Sequence, residues 1–264
     1  MPRPSVEPGV GFWRTIFRAK AHEAPSDLEP LRCNVPALSN AEIAAVYYDR
    51  RMGGDFYEFL RVSPSRVVFA LLDMAGRRED VREPLIAAQN TFRTLAPKLL
   101  GGVDLNEATA MMRLSSEING AILETGVRNC PAFLGCYNED LGTICYASAG
   151  HTPALLRDAA GITELEATGY PLGLFTHFTQ SAATRAVTPG GALLVISRGI
   201  VEANYAGEEF GLDRTTAAFA KAGAQSAHGL CLDILQAIQN FTRTAPTHND
   251  VTALVLARHA DAQL

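Results

Sequence analysis

The order in which apolar runs of different period follow one another limits most what this chain can fold into. "EIAAVYYDRRM" (Glu42 to Met52) reads as a strand, and "GGDFYEFLRV" and "RVVFALLDMA" flank "SPS" as a hairpin. Two helical patterns follow: "VREPLIAAQNTFRTLAPKLL" (Val81 to Leu100), with Pro84 near its start, and "DLNEATAMMRLSSEINGAILETG", with Asp104 as its expected N-cap. Next come "AFLGCYNED" and "GTICYASAG", joined at Asp140-Leu141-Gly142, and a hairpin "PALLRDAAGITELE" turning at Ala160-Gly161. "TQSAATRAVTPGGALLVIS" adds two strands joined by Thr188-Pro189-Gly190-Gly191. Helices near Leu212 to Ala222 and Gly229 to Thr242 precede a last strand, "DVTALVLAR". Strand and helix do not alternate, so a doubly wound parallel sheet is excluded. Many strands with helices in pairs fit an α+β fold, an antiparallel β-sandwich flanked by pairs of helices.

With 264 residues, 47% of them hydrophobic, the chain has material for one large core or two small ones. A net charge of -5 and no basic stripe exclude a nucleic-acid partner. Cys33, Cys130, Cys136, Cys145 and Cys231 show no CxxC spacing and read as small core hydrophobes in a reducing compartment. No apolar run reaches the roughly 20 residues of a membrane span, and the start lacks a secretory h-region, so the expected location is cytoplasmic. Residues 1–30 read as a tail or linker ahead of a domain over 31–264. Within them "GFWRTIFRAKA" is basic and aromatic enough to touch a membrane surface or a partner.

If "SPS" is a turn, Asp55 at the start of one strand and Asp73 at the end of the next share one end of the sheet. Close carboxylates repel and call for a cation or a shared proton. A hard divalent ion, Mg²⁺ or Mn²⁺, satisfies them, and the two glycines before Asp55 would admit close backbone approach. The alternative is a turn residue and a strand-end cap. His151 in "SAGHTP" is a structural loop histidine or a general acid-base group. Asn249 and Asp250 stand before the last strand, where Asx residues commonly form turns. "LLVISRG" runs a buried strand into a turn, Ser197-Arg198-Gly199, that carries a cation at a site mouth, with Glu202 as its candidate partner. No G-x-S-x-G elbow, P-loop or G-x-G-x-x-G follows a strand.

"GGDFYEF", "LLDMAG", "YASAGHTPALL", "GYPLGLF", "LLVISRGIVEA", "GEEFG" and "NDVTALVLA" occur in the order seen in PPM-type serine/threonine phosphatases. Over roughly Leu31 to Arg258 the chain most resembles the bacterial SpoIIE-like branch, which controls sigma-factor partner switching. The resemblance implies two Mn²⁺ or Mg²⁺ ions held by aspartates and a metal-activated water that attacks a phosphoserine or phosphothreonine. It implies as partner a phosphorylated STAS-type anti-sigma-factor antagonist or another phosphoprotein. Asp55 matches the Gly-Gly-Asp aspartate and Asp73 the aspartate that bridges both metals, with the Met74 carbonyl near the second ion.

Two positions depart from the pattern. Arg198 stands where the family has the aspartate of a Ser/Thr-Asp-Gly turn, and Asn249 stands where it has the first aspartate of the last motif. Asp250 is a weak substitute, because neighbouring strand residues point to opposite faces. Arg77-Arg78 replace a Gly-rich turn. A fixed guanidinium in place of a carboxylate repels a divalent ion. Two ions are therefore not expected; one, or none, is. Arg198 is expected to bond Asp73 in a metal's place or to turn out to solvent, leaving one ion at Asp55 and Asp73. Arg77, Arg78 and Arg198 form a candidate phosphate-holding cluster. The function expected is a phosphatase-like regulator with weakened or lost two-metal catalysis, or a non-catalytic pseudophosphatase that binds a phosphoprotein.

Overall fold

The computed structural model describes residues 34–48, 54–177, 180–224, 226–243 and 249–260. The tail over 1–30, with its basic aromatic stretch, lies outside the described residues, as do the last residues of the first expected strand, Gly53 and Cys33. Among the described residues, no helix is long and apolar enough to cross a membrane.

Two five-stranded sheets form the centre. One has the order β1-β12-β9-β6-β7: β1 Ala41–Tyr48, β12 Val251–Arg258, β9 Ala192–Ile196, β6 Ala154–Asp158 and β7 Gly161–Leu165. The other has the order β2-β3-β4-β5-β8: β2 Gly54–Ser63, β3 Arg66–Met74, β4 Ala132–Asn138, β5 Thr143–Ala149 and β8 Ala183–Ala186. Every pairing is antiparallel. The α+β sandwich expected from the order of elements is the architecture observed.

Alternation along each strand sorts side chains into three buried layers. On β3, Phe69 and Leu71 face the opposite sheet and, with Tyr57 and Phe133 of their own sheet, share a core layer with its Leu193 and Leu254. Val68, Ala70 and Leu72 face outward under α1 (Arg78–Leu100) and α2 (Glu107–Glu124). The far sheet is covered likewise by α4 (Gly211–Lys221) and α5 (Ala227–Thr242), over Leu194, Ile196 and Val255. Both faces of the central strands are buried, which is why they read as nearly unbroken apolar runs.

Two local details differ from the sequence reading, and a third adds to it. The N-cap of α2 is Asn106, whose side chain accepts the Thr109 N–H at 2.9 Å, and not Asp104, which lies before the chain enters helical geometry. Ser197-Arg198-Gly199 is not a simple turn: Arg198 opens a four-residue helix, α3 (Arg198–Val201). The Thr188-Gly191 turn joins two strands as expected, β8 and β9, and carries the chain from one sheet to the other. A two-residue β10-β11 ribbon (Asn204–Tyr205, Glu208–Glu209) links α3 to α4.

Candidate functional site

The β2-β3 hairpin sets Asp55 directly opposite Asp73. Gly54, opposite Met74, has no room for a side chain, since a Cβ there would stand 2.5 Å from the Met74 carbonyl oxygen. That close approach aligns the two carboxylates at the end of the sheet. Asp55 is 7% exposed and Asp73 5%. The Asp73 main-chain N–H bonds the Pro131 carbonyl at 2.9 Å, which ties β3 to the segment entering β4.

The other sheet brings its own groups to the same end. Thr252, the one polar residue within "VTALVLA", donates its hydroxyl to Asp55 Oδ2 at 2.7 Å. Ser197 Oγ accepts the Thr252 N–H at 3.0 Å, and Tyr47 donates its hydroxyl to Asp250 Oδ2 at 3.0 Å. Burial, and then the negative charge of Asp73, push the Asp55 carboxyl well above its ordinary value. The Ser197 and Thr252 hydroxyls pull the other way, and Asp250 adds to the rise.

Arg198 meets Asp73. Its main-chain N–H donates to Asp73 Oδ2 at 2.5 Å, and its Nη2 lies 3.4 Å from Asp73 Oδ1. One residue therefore engages both oxygens of Asp73. The geometry follows from α3, whose first N–H has no partner inside the helix and points at the carboxylate. Gly199 lets this turn lie against the Asp250 carbonyl, where a Cβ would collide. One helical turn on, Glu202 Oε1 stands 3.5 Å from Arg198 Nε, and Glu202 Oε2 accepts the Asn249 amide at 2.7 Å. A chain of contacts runs Asp73–Arg198–Glu202–Asn249. The Arg198 side chain is 36% exposed and that of Asp73 6%, so the cation sits at the mouth over a buried anion.

Asn249 and Asp250 face the other way round from what strand alternation predicts. Asn249 is exposed and turned to Glu202, while Asp250 is buried beside Asp55 and Tyr47. Strand alternation does not apply to them, because β12 starts only at Val251. His151 is buried, with Nδ1 2.9 Å from the Thr152 carbonyl, so Nδ1 carries the hydrogen. Among the described residues its Nε2 has no hydrogen-bond partner. Burial holds its pKa below the ordinary value, against the opposing pull of the Asp73 charge. Arg77 is exposed just before α1, and the Arg78 side chain lies outside the described residues. Ser197, Thr252 and Tyr47 were not singled out in the sequence; a lone threonine inside an apolar strand was the available signal. Among the described residues, no group of three or more His, Cys, Asp or Glu side chains is arranged to hold a metal ion.

The family model for Stage II sporulation protein E (SpoIIE) matches residues 63–259. The chain belongs to the SpoIIE family. The RsbU and RsbW domains of Rv1364c from Mycobacterium tuberculosis align over 86% of this chain and 62% of theirs, at 22% identity and a TM-score of 0.69. The PP2C phosphatase domain of SpoIIE from Bacillus subtilis, with a fragment of its regulatory domain, aligns over 83% and 64%, at 16% identity and 0.67. The catalytic domain of the serine threonine protein phosphatase PstP, solved with two manganese ions, aligns over 83% and 99%, at 12% identity and 0.59. At these identities the likeness is one of fold. The chain spans less than two thirds of the length of the first two structures. No curated protein matches it. This SpoIIE-family chain thus carries a PP2C-type sandwich with an arginine and a short helix over one of its paired aspartates.

Proposed function

We propose that the chain is a PPM-type phosphatase-like regulator that recognises a phosphorylated protein in cytoplasmic partner-switching signalling, with two-metal catalysis lost or strongly weakened. A STAS-type antagonist of an anti-sigma factor is the partner class that the family reading suggests. The observation that carries the loss is Arg198 on both oxygens of Asp73. If Asp55, Asp73 and the Met74 carbonyl are what is left of a metal site, the donor set does not fit a pair of divalent ions. Asp73, the one carboxylate placed to bridge them, is already bonded to a permanent cation. A unit charge about 4 Å from a divalent ion is repelled by several kcal/mol even at an effective dielectric of ~20. Asn249 brings a neutral amide that is engaged elsewhere. One ion at Asp55, Asp73 and the Met74 carbonyl, with Asp250 nearby, is the most that this set could support, and only if Arg198 moved aside.

The same change supplies a binding function. A half-exposed guanidinium at the mouth, with Arg77 and Arg78 following β3, offers fixed positive charge to a phosphate without a metal. The test is turnover of p-nitrophenyl phosphate and of a phosphorylated STAS protein in Mn²⁺. The protein itself should be inactive, and Arg198→Asp combined with Asn249→Asp should gain activity. Mn²⁺-dependent turnover by the unmodified chain, abolished by Asp73→Asn, would overturn the proposal.

A further inference from the structure

The segment between β7 and β8 presents Tyr170 and Phe175 to solvent, 63% and 46% exposed, edge to face with centroids 5.5 Å apart. Leu174 beside them is 38% exposed. A large aromatic pair held out of the core on a fixed loop is a common form of binding anchor.

The loop is held from below by buried groups. Asn119 of α2, 2% exposed, accepts the Gly173 N–H at 2.8 Å and donates to the Phe175 carbonyl at 3.2 Å. Leu172 and Cys130 exchange two main-chain hydrogen bonds of 2.7 and 2.8 Å. Gly150, next to His151, donates to the Gly169 carbonyl at 3.0 Å. Fixing an exposed pair in advance removes part of the ordering cost that a partner would otherwise meet.

The loop is also continuous with the site. Cys130 precedes Pro131, whose carbonyl takes the Asp73 N–H. Two ladder spacings of about 4.8 Å thus separate Asp73 from Leu172, which lies between the two aromatics in sequence. The pair therefore stands about 10–15 Å from Asp73, or three to four residues of extended chain at ~3.3 Å each. An anion would be drawn to the cation at the mouth, and the chain on one side of that anion would pass over the aromatics.

We propose that Tyr170 and Phe175 form a specificity surface for the partner, taking an aliphatic or aromatic side chain three or four residues from the phosphorylated residue. The proposal rests on the phosphoprotein reading above. Its occupant is a peptide segment with an anion at one end and an apolar side chain at the other, matched to Arg198 and to the aromatic pair.

The test uses fluorescein-labelled dodecapeptides in anisotropy titrations against the whole chain. One peptide carries a central phosphoserine with leucine four residues to either side, a second has alanine in place of both leucines, and a third is the leucine peptide without phosphate. Tyr170→Ser combined with Phe175→Ser is titrated in parallel. Both side chains are exposed, so its unfolding midpoint should match that of the unmodified chain. Binding should be weakened at least about tenfold by loss of the leucines, and equally by loss of the two aromatics. Phosphate-dependent binding that is indifferent to leucine and to both substitutions overturns this surface and leaves the phosphoprotein reading standing. Binding that needs leucine and both aromatics but not phosphate supports the surface and overturns that reading. Failure of every peptide at millimolar concentration overturns both. Self-association in sedimentation that the double substitution abolishes would assign the patch to a second copy of the chain and overturn the proposal.

Discussion

Arg198 reaches Asp73 twice, once through its backbone and once through its guanidinium. Removing the side chain keeps the first contact and deletes the second. Arg198→Ala should therefore destabilise modestly, by about 1 kcal/mol, because the guanidinium is partly solvated. In thermal unfolding that is a fall of about 2–4 °C for a domain of this size. Arg198→Asp should cost more in the absence of metal, because a third carboxylate would face Asp55 and Asp73. Combined with Asn249→Asp, much of that loss should return on adding Mn²⁺, which binds only the folded form. A fall no larger than that of Arg198→Ala, unaffected by Mn²⁺, would contradict the charge argument. At this scale the sequence was readable where a local rule sets side-chain direction. The "SPS" hairpin placed Asp55 opposite Asp73. It was not readable where no such rule applies, as at Asn249 and Asp250, one residue before strand geometry begins. Nor did it disclose that His151 is buried, because that depends on how the loop after β5 folds back over Phe133.

The elements are held in place by polar contacts at the end of the sandwich opposite the site. Glu139, at the turn between β4 and β5, accepts from both the N–H and the hydroxyl of Ser39 at 2.6 Å and lies 2.7 Å from Arg61 Nη2. These bonds fix the entry to β1 against the second sheet. Burial alone would raise the Glu139 pKa, but the two Ser39 contacts and Arg61 outweigh it and hold the carboxyl below its ordinary value. A depressed folded-state pKa gives stability that is fully present above the unfolded value of about 4.3 and is lost as pH falls through the folded value. Glu139→Gln should therefore cost about 1–2 kcal/mol near pH 7 and reduce the decline of stability on acidification. Chemical denaturation from pH 7 down to pH 3 measures both, and an unchanged acid slope would contradict this role. Element order and type were legible because period 2 and period 3.6 runs are long here. Exact ends were not: Asn106 caps α2 in place of Asp104, since the geometry that starts a helix is settled by which side chain reaches the free N–H groups. The crossing between sheets at Thr188-Gly191 was equally hidden, because a tight turn gives no sign of which sheet the next strand joins.

The whole molecule joins its two sheets at one end by a closed charge arrangement. Asp55 and Asp73 come from one sheet, Thr252 from a strand of the other, and Arg198 and Asp250 from segments flanking strands of that other sheet. A metal pair in such a place would draw the sheets' acidic ends together. Here hydrogen bonds and one guanidinium link those ends, with Glu202 and Asn249 extending the arrangement outward. The sandwich itself was legible as a whole, since strands and paired helices in this order leave few other architectures. The internal ion pair was legible only as one of two alternatives, because sequence does not say whether a long side chain turns in or out. Calorimetric titration of the protein with Mn²⁺ tests the central claim most directly. The account predicts no tight binding of two ions to the unmodified chain, and binding gained on Arg198→Asp with Asn249→Asp. Tight two-site binding by the unmodified chain would contradict it.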